Sequence, residues 1–259
     1  MKILVLSDLH LGDKSRFDNC GWDFAEFKAV LETVQKRYKI EQTVLNGDIF
    51  ELYKHLYKDI AAGNAEFTDF LQNSNFVYVK GNHDWMLDFG TDCYQITNSQ
   101  GKKIHIEHGH NADFLNGTAL GRLLGKAFFK VLKKLMNVEL FLKIYFKIVE
   151  FDDEVNRVPK KYNSIRYLKY ALRLLKHHDV VIMGHTHKME IHKTYYLNNK
   201  KRYLNTGACS LSRFQGIVLD TETLEYDTVK IHRDEFFNRE ENDQQSCFIY
   251  TSLNYDRTA

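Results

Sequence analysis

Short apolar runs that stop at Asp, His and Gly are the feature that most narrows the fold of this chain. Residues 3–6 lead into Ser7-Asp8-Leu9-His10, and residues 43–45 into Asn46-Gly47-Asp48. Residues 76–79 lead into Gly81-Asn82-His83-Asp84, residues 103–106 into Glu107-His108-Gly109-His110, and residues 179–183 into Gly184-His185-Thr186-His187. Runs this short, bounded by turn residues, read as buried strands rather than helices. Further strand signals fall at residues 203–204, 217–219 and 226–231. Between the first two runs, residues 22–38 place Phe24, Phe27, Val30, Leu31 and Val34 at helical spacing. Strand, helix, strand in that order predicts parallel pairing with a right-handed crossover. The later strands follow one another closely, which predicts an antiparallel part. The expected class is α/β with α+β character, built on a mixed sheet.

The chain has 259 residues, enough for one large domain with a substantial core. A single proline argues against Pro-rich linkers and tandem modules, and a net charge of +2 names no partner. Cys20, Cys93, Cys209 and Cys247 are far apart in sequence, so reduced thiols are expected rather than a disulfide framework or a thiolate zinc site. The apolar run at residues 3–6 is shorter than the roughly 7 to 15 residues of a signal-peptide core. No stretch approaches the roughly 18 apolar residues of a membrane span. The expected location is the cytoplasm, with contact at a membrane surface left open.

Residues 113–178 break the rhythm and carry no strand signal. Leu120, Leu123, Leu124, Phe128, Val131, Leu132 and Leu135 recur at helical spacing, and Leu140, Phe141, Ile144, Tyr145 and Ile148 continue it. Lys126, Lys130, Lys133, Lys134, Lys143 and Lys147 fill the gaps, and a third helical pattern runs over residues 162–175. This region is expected to be a helical insertion that caps the sheet. Its apolar face either packs on the sheet or lines a groove for lipid, with the lysines solvated or facing phosphates and an anionic surface. Beyond residue 233 the chain turns polar, and residues 234–259 are expected to form a loosely held tail.

One D-x-H or G-H-x-H motif says little, because polar residues at strand ends commonly shape turns. Five such motifs at the ends of five apolar runs are a different matter, since strand C-terminal ends line the ligand crevice of open α/β sheets. Carboxylates, imidazoles and an amide oxygen, with no thiolate, suit Mn, Fe or Zn. Asp8 and His10, two apart in an extended chain, point to the same side. Two cations about 3.5 to 4 Å apart can clamp a phosphoryl group and activate a bridging water.

The ordered set Asp8-x-His10, Gly47-Asp48, Gly81-Asn82-His83-Asp84, His108 and Gly184-His185-Thr186-His187 resembles the calcineurin-like metallophosphoesterase superfamily over residues 1 to about 232. That resemblance implies a four-layer β-sandwich of two mixed sheets flanked by helices. It implies that Asp8, His10 and His187 hold one divalent cation, that Asn82, His108 and His185 hold a second, and that Asp48 bridges them. Mn²⁺ is the expected metal, with Fe or Zn as alternatives. His83 would be the acid for the leaving oxygen, with Asp84 orienting it. An imidazole with a pKa near 6.5 can donate a proton at neutral pH. His110 competes with His108 as a ligand; with His108 chosen, His110 would face the substrate. Asp13 is either a residue beside the ligands or a solvated loop acid, and His105, His177, His178 and His192 read as ordinary polar residues.

Within the superfamily, Ser7-Asp8-Leu9-His10-Leu11, Gly47-Asp48-Ile49-Phe50-Glu51 and the helical insertion look like the UDP-2,3-diacylglucosamine diphosphatases of lipid A synthesis. That implies pyrophosphate hydrolysis of a lipid-linked nucleotide sugar. The enterobacterial members carry Arg where this chain has His83, which keeps a soluble phosphodiester or phosphomonoester substrate as the competing expectation. A non-catalytic scaffold is the remote alternative, and no ligand position is missing. Nucleic acid is not favoured, because no aromatic-basic interleaving occurs outside the insertion.

Overall fold

The computed structural model describes residues 1–113, 116–135, 138–156 and 161–238. In chain order the first half runs β1 (Lys2–Leu6), α1 (Phe24–Tyr38), β2 (Gln42–Asn46), α2 (Tyr57–Gly63), α3 (Ala65–Asn73), β3 (Phe76–Val79), β4 (Cys93–Thr97) and β5 (Lys103–Glu107). Then follow α4 (Ala119–Leu135), α5 (Glu139–Asn156), α6 (Lys161–Leu174), β6 (Val180–Met183), β7 (Ile191–Tyr196), β8 (Asn199–Asn205), β9 (Arg213–Asp220), β10 (Tyr226–His232) and α7 (Arg233–Phe237).

The strands form two five-stranded sheets, in the orders β10-β9-β1-β2-β3 and β4-β5-β6-β8-β7. β1 pairs parallel with β2 and antiparallel with β9, while β6 runs parallel to both β5 and β8. Both sheets are therefore mixed, as expected. The alternation of each strand decides the layers. Ile3, Val5, Val44, Val79, Ile104, Ile106, Val180 and Ile182 meet between the sheets in one buried cluster. Leu4, Leu6 and Leu45 point the other way, against Phe27, Val30, Leu31 and Val34 of α1 and Phe67 and Leu71 of α3. Val181, Met183 and Tyr203 cover the far side of the second sheet against Tyr167, Ala171 and Leu175. Each buried aliphatic side chain contributes about 1.5–3 kcal/mol of transfer free energy.

α1 begins at Phe24, two residues after the expected start, because the Glu26 carboxylate accepts the Asp23 backbone N–H at 3.2 Å and caps the first turn. β4 and β7 were not expected. The fourth motif therefore follows the fifth strand, and the five motif-bearing strands are not successive.

The region expected to be one cap divides in two. α6 is the outer layer of the second sheet, whereas α4 and α5 lie over the strand ends. Phe129, Leu132, Tyr145 and Phe146 turn inward onto Phe17 and Leu142. The predicted apolar face, however, turns outward: Leu120 is 68% exposed, Phe128 62% and Val131 62%. Of the predicted face, Leu132 and Tyr145 thus pack inward, whereas the rest does not pack on the sheet. The inward face of α4 is instead Arg122, Gly125, Lys126, Phe129 and Lys133, whose side chains or backbone meet the loops around the site. The expected polar tail is also corrected at its start, since α7 is helical and Phe236 is buried in the core. The remainder of that tail, with Cys247, lies outside the described residues. Cys20, Cys93 and Cys209 are free thiols. Among the described residues, no helix is long and apolar enough to cross a membrane.

Candidate metal centre

The C-terminal ends of β1, β2 and β3 share one edge because the three strands run parallel, and those of β5 and β6 share another for the same reason. The sequence motifs occupy the loops that leave these ends. Asp8, His10, Asp48, His185 and His187 all adopt left-handed backbone conformations, with φ between 51° and 66°. Non-glycine residues occupy this region at a cost of order 1–3 kcal/mol each, and such residues cluster at functional sites. Asp8 and His10 thus share a side through two left-handed loop residues, not through strand alternation. Glycine is required where backbones come closest. A methyl group on Gly81 would strike the Asp48 carboxylate, and one on Gly184 would strike Ser7 and Asp8.

The Asp8 carboxylate is divided between two tasks. Its Oδ2 accepts the Ser7 hydroxyl and, at 3.0 Å, the His185 backbone N–H. Its Oδ1 is buried with no hydrogen-bond partner, although His187 Nε2 lies 3.2 Å away and His10 Nε2 and His108 Nε2 each 3.9 Å away. His10 Nε2 is also 3.0 Å from His187 Nε2. An unpartnered carboxylate oxygen with several ring nitrogens converging on it is an arrangement a cation satisfies. Asp8, His10 and His187 form one such group, with ligand atoms all within 4.8 Å of one another.

Asp48, His108 and His185 form a second group within the same limit. His108 Nδ1–H donates to the Asn46 carbonyl at 2.8 Å, which fixes the ring and leaves Nε2 facing Asp48 Oδ2 at 3.0 Å. Asn82 Oδ1 is buried without a hydrogen-bond partner. Electrostatics match this donor set. Burial would raise the Asp8 pKa, but His108 and His187 outweigh it and bring it to about 2. Burial disfavours charge on His108, yet Asp48 and Asp8 raise its pKa to about 10. A divalent cation there would displace that proton, because a ligand imidazole must be neutral. Burial and then His108 push His185 down to about 3. Carboxylate and amide oxygens, two of them unbonded, together with imidazole nitrogens fit divalent cations.

His10, Asp48 and His83 form a third group. His83 was expected outside the metal ligands, with Asp84 orienting it. Asp84 does not touch it: its carboxylate accepts the backbone N–H groups of Gly81 at 2.6 Å and Ile49 at 2.8 Å and the Tyr78 hydroxyl at 2.7 Å, bracing the β2 and β3 loops. Glu51 is the carboxylate on His83, at 2.6 Å from Nδ1, and it also lies 3.2 Å from His10 Nδ1. Burial opposes charge on the His83 ring, but Glu51 and Asp48 outweigh it and raise its pKa. The ring stacks on Tyr53, with centroids 4.3 Å apart. Glu51 in turn lies 3.4 Å from the buried Lys54, whose ammonium sits against the rings of Phe17 and Tyr145.

His110 lies beside the centre, its ring 5.7 Å from that of His108 and 6.5 Å from that of His185, with Nδ1 unbonded. Asp13 is not a solvated loop acid, because it pairs with His55 at 2.8 Å and Lys133 at 3.3 Å. His105 is satisfied by Glu107 at 2.9 Å, and His192 stacks on Tyr203.

Residues 1–189, which carry all three ligand groups, match the model of the calcineurin-like phosphoesterases. The chain belongs to this family. It is a metal-dependent phosphoesterase. A curated relative, the UDP-2,3-diacylglucosamine hydrolase of Blochmanniella pennsylvanica, is 25% identical over 216 residues, which span 75% of this chain and 82% of the relative. Among solved structures, a dimetal phosphatase from Danio rerio aligns with a TM-score of 0.48 at 10% identity, covering 90% of this chain and 96% of that one.

For this calcineurin-like phosphoesterase, the contact of Glu51 with both His10 and His83 yields a prediction. Partners of this kind typically contribute 10–100-fold to metal affinity or activity. Glu51→Gln should therefore lower metal affinity, turnover or both by about that factor while the protein stays folded. Metal titration followed by kinetics at saturating metal measures each part, and values within twofold of the parent would remove Glu51 from the site's chemistry.

Proposed function

We propose that this phosphoesterase uses two divalent cations to cleave the pyrophosphate of a lipid-bearing nucleotide sugar. The observation that carries the two-cation part is the meeting of separate ligand groups around Asp48 and Asp8, whose oxygens sit among ring nitrogens at 3.0 to 3.9 Å. Asp8, His10 and His187 would hold one cation, Asn82, His108 and His185 the other, and Asp48 would lie between them. Mn²⁺ is the metal we favour, with Fe or Zn as alternatives. When bound, the cations supply Lewis-acid polarisation of the phosphoryl group and lower the pKa of water.

The chain's own residues do the rest. Glu51 accepts the His83 Nδ1–H and, with Asp48, favours the imidazolium form, whose Nε2–H is the proton that can be delivered to the leaving oxygen. That Nε2 lies 4.0 Å from Asp48 Oδ2, on the centre's side of the ring. Asp84 keeps the loops of β2 and β3 together, and His110 faces the substrate.

Two observations support the lipid-bearing part: the name of the curated relative and the outward apolar face of α4 and α5. Phe129 of α4 reaches within 6.4 Å of the His83 ring, so this helix spans from the centre to the surface. Lys130, Lys134, Lys143 and Lys147 interleave with exposed Phe128, Val131, Ile144 and Ile148, a pattern suited to an anionic membrane surface. The competing substrate, a soluble phosphodiester, draws on His83 standing where the enterobacterial diphosphatases carry Arg. Purified protein loaded with Mn²⁺ should release UMP from a 2,3-diacylated UDP-glucosamine at least tenfold faster than it cleaves a soluble diester. Diester cleavage without UMP release would establish the competing substrate instead.

A further inference from the structure

Beside the metal centre, the inward face of α4 and the loop after Asp84 present donors that are only partly satisfied. Arg122 lays its guanidinium over the Trp85 ring, 5.2 Å from the centroid, and gives one N–H to the Asn116 carbonyl at 3.1 Å. Its Nε is buried and unbonded, as is Trp85 Nε1. One turn further along the same face, Lys126 Nζ reaches the thioether sulfur of Met86, at 2.9 Å. His110 Nδ1, facing this region, is buried and unbonded too. Among the described residues, no carboxylate forms an ion pair with Arg122 or Lys126.

Their position relative to the chemistry is fixed by neighbours. Gly125, between Arg122 and Lys126, packs so closely that a methyl group there would lie 3.2 Å from Tyr53, the ring that stacks on His83. Trp85 and Met86 directly follow Asn82-His83-Asp84 in the chain. Arg122 is also near enough to His110 and Tyr53 to act on both electrostatically.

Two cationic side chains without a paired carboxylate among the described residues, with an unbonded buried N–H from Arg and another from Trp, make a site for an anion. Guanidinium groups bind phosphate through parallel N–H donors, and buried unsatisfied donors carry a penalty that an anion relieves. We propose that Arg122, Trp85, Lys126 and His110 bind the second phosphoryl group of a diphosphate substrate, the one that is not attacked. This rests on reading the substrate as a diphosphate ester. It gives the enzyme a reason to prefer two linked phosphoryl groups over one, which the metal centre alone does not supply.

The test measures binding, so it does not depend on which substrate is turned over. Mn²⁺-loaded protein is titrated calorimetrically with the P,P′-dimethyl ester of methylenediphosphonate and with dimethyl phosphate, which has one phosphoryl group. The parent should bind the diphosphonate at least tenfold tighter. Arg122→Gln should weaken diphosphonate binding by about 10–100-fold, the range expected for hydrogen bonds to a charged group. Its effect on dimethyl phosphate should be at least tenfold smaller. Trp85→Phe keeps the ring under Arg122 but removes its N–H, and should weaken the diphosphonate selectively by a smaller factor. Equal loss for both probes, no loss for either, or a parent without the preference would each overturn the proposal. Absence of UMP release together with selective diphosphonate binding would instead retire the acylated substrate and leave the subsite standing.

Discussion

Asp48→Ala should reduce hydrolysis about a thousandfold or more and remove at least one equivalent of bound metal, with the fold intact. Asp48 belongs to two of the three ligand groups and fixes the next motif, because its Oδ1 accepts the His83 backbone N–H at 2.7 Å. Lewis-acid stabilisation supplies several kcal/mol, and at 1.36 kcal/mol per factor of ten, a loss of about 4 kcal/mol is about three orders of magnitude. The fold should survive because Asp48 lies outside the two large apolar clusters that hold the sheets and helices together. Asp48→Asn, which keeps the shape and the acceptor for His83, is the control for packing. Elemental analysis of the purified variants and turnover at saturating Mn²⁺ are the measurements. A variant with two metal equivalents and more than a tenth of parental turnover would sink the two-cation reading.

His83→Ala should behave differently, keeping both metals but losing about 10²- to 10⁴-fold in turnover, the range for a positioned general acid. The prediction discriminates because His83, with His10 and Asp48, is also close enough to be a ligand. Its Nδ1 is committed to Glu51, so only Nε2 is available, for either a proton or a cation. Loss of a metal equivalent on substitution would make His83 a ligand. A substrate whose leaving group needs no proton, such as a nitrophenyl ester, should recover part of the lost rate if His83 is the acid.

The motifs were legible because they are local: each lies within a few residues of an apolar run, and parallel pairing gathers the run ends. The four-layer sandwich followed from the family resemblance and agrees with the two mixed sheets. β4 and β7 were not legible because they are the outermost strands of the second sheet, and their residues are mostly half-buried or exposed. Glu51 was not legible as the partner of His83 because the two are 32 residues apart and meet only when the β2 and β3 loops pack. Nor was the direction of α4. Helical periodicity reveals an apolar stripe but not which way it faces, and here close packing of Gly125 and Phe129 against Tyr53 turns the stripe outward. The left-handed backbones at Asp8, His10, His185 and His187 leave no trace in composition, because glycine is not used there.

The ligand groups have a mechanical consequence. Asp8 and His10 leave the first sheet and His187 the second; Asp48 leaves the first, and His108 and His185 the second. Each cation would thus act as a clasp across the sandwich, and metal affinity would be part of the adhesion between its halves. A cation at a hundred times its dissociation constant adds about 2.7 kcal/mol of stability. By reciprocity, loosening the interlayer contacts of Ile3, Ile217 or Leu219, none of them within four residues of an assigned ligand, should weaken metal retention.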